Sequence, residues 1–202
     1  MEKSVLISEE VNYSWNFLNY PIHTISAKPE ITSKDCAILL IHGFGASTDH
    51  WRFNIPVLSK KYEVHAMDLL GFGKSPKPQD VDYSGSLWKD QVVSYVKEKI
   101  KKPTIIVGNS LGGYASLAAG AELDELTAGV ILLNAAGYFS EEKTKKKNML
   151  QTSIETVAGI FLKNIVLQRL IFDNMRNPKN IKKTLNQVYV NKTNVDDFLV
   201  ES

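Results

Sequence analysis

A short serine motif between glycines is the segment of this 202-residue chain best suited to chemistry. A G-x-S-x-G pattern spans residues 108–112, with Ser110 at its centre. An aliphatic run at 104–107 precedes it, and an Ala- and Leu-rich stretch, Leu111–Leu123, follows. A strand, a sharp turn and a helix form the context that exposes a nucleophilic serine. We therefore predict that Ser110 is a catalytic nucleophile; a turn that merely joins strand to helix is the alternative.

A second glycine-rich motif, at residues 42–45, directly follows the aliphatic run Ala37–Ile41. Acyl transfer requires N–H donors aimed at the oxyanion of the tetrahedral intermediate. We predict that the backbone N–H groups of Phe44 and of Leu111, the residue after the serine, form this oxyanion hole. We expect His42 to brace the loop through a hydrogen bond rather than to act in catalysis.

A third motif, D-x-x-G-x-G-x-S at residues 68–75, follows another apolar run at 62–67. Aspartate and glycine at the end of a strand are typical of a turn in which the carboxylate accepts backbone hydrogen bonds. We therefore interpret Asp68 as a structural residue of that turn.

Short aliphatic runs alternate with helical patterns through the first two thirds of the chain. Buried strands are predicted at residues 37–41, 62–67, 104–107 and 130–133, and two edge strands at 11–17 and 20–26, joined by a turn at Leu18-Asn19. An apolar stripe with a spacing of four residues predicts a helix; it comprises Trp88, Val92, Val96 and Ile100. This alternation predicts an α/β fold, a mostly parallel sheet flanked by helices.

The composition changes near Gly137, after which glycine almost disappears. Apolar positions between 154 and 170 and between 181 and 189 predict helices, and a last helix begins near Phe198, with Thr193 or Asn194 as its N-cap. We predict a core at residues 1–137 and a helical cap region at residues 138–202.

The three motifs, in this order, resemble the α/β-hydrolase superfamily. The segments LIHGFGASTDHWRFNIPVL, DLLGFGKSPKP, VGNSLGGYASLAA and LLNAAGYF are more closely similar to a pheophytinase-like branch found in cyanobacteria and plastids. The resemblance implies an α/β-hydrolase fold with a helical cap inserted after the sixth strand. It also implies hydrolysis of an ester, or of a similar acyl or C–C bond, through an acyl–Ser110 intermediate, with no metal or organic cofactor.

No histidine follows Ser110 in the sequence to serve as the base that activates the serine. In this fold the nucleophile is followed by an acid and then by a histidine, whereas all four histidines precede it: His23, His42, His50 and His65. Carboxylates do follow, among them Asp173, Asp196 and Asp197, but they lie in the helical part. We expect a C-terminally truncated chain that lacks the last two strands and is inactive alone. A non-catalytic binding protein is the rival hypothesis, and His42 or His65 as an unusual base is a weaker one.

Composition narrows the possible partners. Lys and Arg number 24 against 22 Asp and Glu, a net charge of +2, which argues against a nucleic-acid binder driven by charge. The one cysteine, Cys36, excludes an internal disulfide. With neither a signal-peptide pattern nor an apolar run of about 18 residues, we predict a cytoplasmic protein with no transmembrane segment. The expected partner is a small hydrophobic substrate, and the sequence does not predict an oligomeric state.

Overall fold

A computed structural model describes residues 15–29, 35–136 and 177–201. The chain divides into two compact units, Met1–Gly137 and Tyr138–Ser202. The division falls at the residue where the composition changes. The interpretation of the units as core and cap stays a prediction.

The first unit is built on a five-stranded sheet. A small hairpin, β1 (Asn16–Phe17) and β2 (Tyr20–Pro21), precedes it. The sheet has the order β3-β5-β4-β6-β7 and consists of β3 (Thr24–Ala27), β4 (Ala37–Ile41), β5 (Glu63–Met67), β6 (Thr104–Asn109) and β7 (Thr127–Leu133). Strand β3 is antiparallel to β5, and the other pairs are parallel. The predicted parallel strands and fold class are thereby confirmed.

The aliphatic composition of β4 follows from its central position. All five of its residues are buried, and successive side chains point to opposite faces of the sheet. Leu39 and Ile41 join one apolar cluster, which includes Val92 of a flanking helix. Ile38 and Leu40 join the other cluster on the opposite face. A strand covered on both faces favours an apolar side chain at every position.

Three helices and two short 3₁₀ turns connect the strands. They are the turns Thr48–Trp51 and Asp124–Leu126 and the helices α1 (Ile55–Leu58), α2 (Gly85–Tyr95) and α3 (Leu111–Leu123). Ser84 caps α2, since its hydroxyl accepts a hydrogen bond from the N–H of Leu87 at 3.3 Å. The predicted stripe on α2 is buried, but the helix widens to a π-turn at Val96–Ile100.

The predicted pair of N-terminal edge strands needs a correction. Leu18 and Asn19 do form the turn, both with positive φ (51° and 67°). The run at 20–26, however, is two strands. Strand β2 ends at Pro21, which has no N–H to donate, and the chain then crosses to the main sheet as β3. Residues 11–14 lie outside the described part of the chain.

The second unit contains two described helices, α4 (Pro178–Val188) and α5 (Asp197–Glu201). The prediction of Thr193 or Asn194 as N-cap is wrong. The Asp196 carboxylate accepts from the N–H of Leu199 at 2.9 Å, whereas residues 192–194 form a 3₁₀ turn of their own, capped by Asn191. The predicted helices between 154 and 170 lie outside the described residues.

Candidate active site

The serine lies on a sharp turn between β6 and α3. Its backbone has φ 49° and ψ −113°, a region that costs a non-glycine residue free energy. The glycines at positions 108 and 112 are required because the turn leaves no room there for a side chain. A Cβ added at Gly108 would lie 2.2 Å from the carbonyl oxygen of Gly112, and one at Gly112 would lie 2.3 Å from that of His42. Side chains at these positions would force the turn open.

Hydrogen bonds to one distant segment hold the strained backbone. The N–H of Ser110 donates to the carbonyl of Leu133 at 3.0 Å, and the carbonyl of Ser110 accepts from the N–H of Ala136 at 2.9 Å. The end of β7 and the residues just after it therefore clamp the turn. Sequence reasoning missed this clamp; the small residues Ala135 and Ala136 after the predicted strand were the available signal, because a Cβ at Gly113 would already lie 2.5 Å from the Cβ of Ala135.

The loop after β4 packs directly on the serine turn. A Cβ added at Gly43 would lie 3.3 Å from the Cβ of Ser110 and 3.0 Å from the side-chain oxygen of Asn109. Within the described parts of the chain, neither the N–H of Phe44 nor that of Leu111 donates to a backbone carbonyl. The Leu111 N–H also belongs to the first turn of α3, where the helix dipole favours negative charge.

His42 fixes the direction of one of these N–H groups. The N–H of Leu69 donates to Nε2 of His42 at 3.0 Å, so the ring proton is assigned to Nδ1, which donates to the carbonyl of Gly43 at 2.7 Å. In a trans peptide the carbonyl of Gly43 and the N–H of Phe44 point in opposite directions. The Phe44 N–H therefore points away from the His42 ring. Burial lowers the pKa of His42, which favours the neutral ring. The predicted bracing role is confirmed.

Asp68 ties three segments together beneath this loop. Its carboxylate accepts from the N–H groups of Thr48 and Lys74, both at 2.7 Å, and contacts Nδ1 of His23 at 3.0 Å. Burial raises the pKa of Asp68, but the hydrogen bonds from His23 and the two N–H groups outweigh it and hold the pKa below its usual value. The structural interpretation of Asp68 is confirmed, but its contacts extend well beyond the local turn that we predicted.

His65 is a satisfied residue of the sheet. Its ring nitrogens lie 3.1 Å from the hydroxyl of Tyr95 and 3.1 Å from a carboxylate oxygen of Glu63. Nδ1 of His23 and both ring nitrogens of His42 and His65 thus contact groups other than Ser110. His50 lies on the turn Thr48–Trp51, and burial, with His42 and Arg52 nearby, lowers its pKa.

The carboxylates that follow the serine have local roles where they are described. Asp196 caps α5, and Asp197 forms an ion pair with Lys182 at 2.8 Å. Asp173 lies outside the described residues. Across 15–29, 35–136 and 177–201 there is no cluster of three or more His, Cys, Asp or Glu residues that could hold a metal ion. No helix within those same ranges is long and apolar enough to cross a membrane.

The fold and the serine turn together define a family. The family described as the α/β hydrolase fold matches residues 37–176, and the chain belongs to it. The match covers the four parallel strands and all three motifs described above.

Individual relatives are hydrolases. A chloroplastic pheophytinase of Arabidopsis thaliana is 29% identical over 79% of this chain and 40% of its own length. A 2-hydroxy-6-oxo-6-(2'-aminophenyl)hexa-2,4-dienoic acid hydrolase of Metapseudomonas resinovorans is 38% identical over 52% of this chain and 37% of its own. Among solved structures, the crystal structure of a bacterial membrane phospholipase A matches with a TM-score of 0.60. Its sequence is 29% identical, and the match covers 83% of this chain and 48% of the phospholipase chain. The chain thus spans less than half the length of each.

Proposed function

We propose that this chain supplies the nucleophile and oxyanion hole of a serine hydrolase that cleaves an ester, or a similar acyl or C–C bond. The observation that carries the proposal is the positive φ of Ser110 at the β6–α3 turn, with the Gly43 loop packed on it. A strained conformation persists only where surrounding contacts impose it, and such positions cluster at functional sites.

The chemical step follows from this geometry. The Oγ of Ser110 attacks the carbonyl carbon of the substrate, and the carbonyl electron pair moves to oxygen. The N–H groups of Phe44 and Leu111 hold that oxyanion. Its collapse expels the alcohol or other leaving group, which takes the proton that Ser110 lost, and leaves an acyl–Ser110 ester. Water then attacks the ester and restores the serine.

The proton acceptor is the part of the site that we assign to residues outside this chain. Nδ1 of His23 and both ring nitrogens of His42 and His65 contact groups other than Ser110, and all four histidines precede the serine. A serine hydroxyl is a weak nucleophile without an adjacent base. A histidine and an acid beyond residue 202 would complete the usual order of nucleophile, acid and histidine.

Substrate class is proposed from the relatives' names alone. They include a phospholipase and a dienoic acid hydrolase, which favours a small, largely apolar acyl substrate. A cytoplasmic location stays a prediction, and the pheophytinase relative is chloroplastic.

The test uses a fluorophosphonate probe and p-nitrophenyl esters. They are applied to the 202-residue chain and, where the reading frame continues, to a chain extended beyond Ser202. We expect labelling and turnover only in the extended chain, with both abolished by Ser110→Ala. A His50→Ala variant of the 202-residue chain tests the remaining histidine. Turnover by the short chain that this variant abolishes would overturn the assignment of the base.

The order of the histidines favours one rival, a binding protein without catalysis. Since none follows Ser110 in these 202 residues, such a protein would keep the fold without the chemistry. An extended chain that neither reacts with the probe nor turns over an ester would establish that rival.

A further inference from the structure

A cleft of about 520 Å³ opens in the first unit, beside the loop that carries the Phe44 donor. Its walls include four aromatic side chains, Phe44, Phe72, Tyr83 and Trp88, and one lysine, Lys77. A volume of this size is typical of a site for a small molecule.

The aromatic walls form a continuous series. The ring of Phe72 lies 5.3 Å from that of Phe44 and 5.8 Å from that of Trp88, and the Tyr83 ring lies 6.4 Å from Trp88 (centroid distances). The polar atoms of two of these rings are already engaged. The indole N–H of Trp88 donates to the carbonyl of Leu70, and the hydroxyl of Tyr83 donates to that of Pro78. The walls therefore offer apolar ring surface, which suits a planar apolar group.

Lys77 gives the cleft its charge. It is the only charged side chain among the described residues that line the cleft. Its ammonium donates to the carbonyls of Gly73 at 2.6 Å and of Ser75 at 3.2 Å. An ammonium has three N–H donors, so one is left for a ligand. A cation in a cleft with no carboxylate among the described lining residues favours an anionic ligand.

We propose that the cleft binds a planar aromatic group that carries an anionic substituent, with the ring against Phe72 and the anion at Lys77. Because Phe44 belongs both to the cleft and to the oxyanion loop, the aromatic group would be part of the substrate whose carbonyl reacts at Ser110. This last step rests on the proposed function. The binding itself does not.

Binding is measured by calorimetric titration and tryptophan fluorescence of the 202-residue chain with 2-naphthoate and with neutral 2-naphthamide. We expect saturable binding of naphthoate with a change in the tryptophan emission of the chain, to which Trp88 in the cleft wall contributes. Lys77→Gln should weaken naphthoate roughly 2–5-fold and leave naphthamide unchanged. Phe72→Leu should weaken both ligands roughly 3–10-fold. The matched control is Phe53→Leu, at a phenylalanine that is 57% exposed and does not line the cleft; it should change neither.

Three results would overturn the proposal: no saturable binding, a Lys77→Gln effect equal for both ligands, or the same affinities in the Phe72 and Phe53 variants. Thermal unfolding checks that each variant folds. Should Phe72→Leu fail to fold, the Lys77→Gln variant, at an exposed residue, still tests the proposal by its affinities for naphthoate and naphthamide. Probe labelling of Ser110 is scored separately in the extended chain. Labelling without naphthoate binding refutes only the cleft, and binding without labelling refutes only the hydrolase.

Discussion

The strained backbone at Ser110 predicts an unusual order of stability among its variants. Replacement by alanine removes the hydroxyl but keeps a Cβ at φ 49° and ψ −113°. Replacement by glycine removes the Cβ and with it the steric cost of this conformation. Glycine normally destabilises a folded chain relative to alanine, because it loses more conformational freedom on folding. At position 110 we expect the reverse.

The size of the effect follows from two opposing contributions. A non-glycine residue in a sparsely populated region costs about 1–3 kcal/mol. The extra freedom of glycine in the unfolded chain costs about 0.4–1 kcal/mol. With both contributions near the middle of their ranges, Ser110→Gly should be more stable than Ser110→Ala by about 1–2 kcal/mol. For a domain of this size that difference corresponds to a rise in Tm of roughly 2–8 °C.

The chain offers a matched control for this comparison. Asp124 has almost the same conformation as Ser110, φ 51° and ψ −116°, but it is exposed and lies at the end of α3. Asp124→Gly should likewise exceed Asp124→Ala in stability. Equilibrium urea unfolding of the four variants, followed by circular dichroism, gives the differences in the free energy of unfolding.

One pattern of results would refute the reasoning. If the Gly variant is more stable than the Ala variant at position 124 but not at position 110, the serine backbone does not have a positive φ in solution. The turn would then lack the strain on which the proposed nucleophile depends. If Gly exceeds Ala at neither position, the assumed cost of this conformation is wrong.

Three further predictions test the framework around the site by urea unfolding. Asp68→Asn should lose about 3 kcal/mol near neutral pH, because the new amide places an N–H against the N–H groups that the carboxylate accepted. Since the pKa of Asp68 is lowered in the folded state, this loss should shrink as the pH falls below its ordinary value of 3.8; a loss that is constant with pH would contradict the assignment. The hydrogen bond with His65, and after it the one with Lys102, lowers the pKa of Glu63 to about 2, although burial acts in the opposite direction. Glu63→Gln should therefore cost about 1 kcal/mol above the ordinary Glu pKa of 4.5, and the cost should disappear as the pH falls toward about 2; an effect that grows on acidification would be inconsistent with this sign. Gly112→Ala should cost about 3 kcal/mol or more, since its Cβ would lie 2.3 Å from a carbonyl oxygen, whereas Gly129→Ala, with open space around its Cβ, should change stability by less than about 1 kcal/mol; equal effects would mean that the turn is not tightly packed.

The parts of the fold that the sequence predicts are those set by burial alone. Strand β4 is aliphatic at every position because both of its faces are covered, so its pattern cannot be mistaken for a half-exposed strand. The glycines at 108 and 112 likewise have a steric cause that is visible in the spacing. The bracing role of His42 is predictable because the residue directly follows β4 and adjoins the glycine loop that its ring contacts.

The remaining features depend on contacts between distant segments. The clamp on Ser110 comes from Leu133 and Ala136, more than 20 residues away. The hydrogen bond from Thr48 to Asp68 joins residues 20 apart in the chain, and no local sequence pattern predicts it. The split of the run at 20–26 depends on which sheet each half pairs with, which is decided by tertiary packing.

The oxyanion donors and the base of the proposed site are different kinds of group, so one can be in place without the other. The proposed oxyanion donors are main-chain N–H groups, fixed by β4, by the helix start at Leu111 and by the buried His42 ring. All of these contacts lie within the first unit. A base, by contrast, is a side chain that needs only to reach the serine hydroxyl from outside. With the base proposed beyond residue 202, serine reactivity should depend on an extended chain, whereas the conformation of the serine should not. The glycine–alanine comparison at Ser110 and the probe labelling of the extended chain measure these two properties independently.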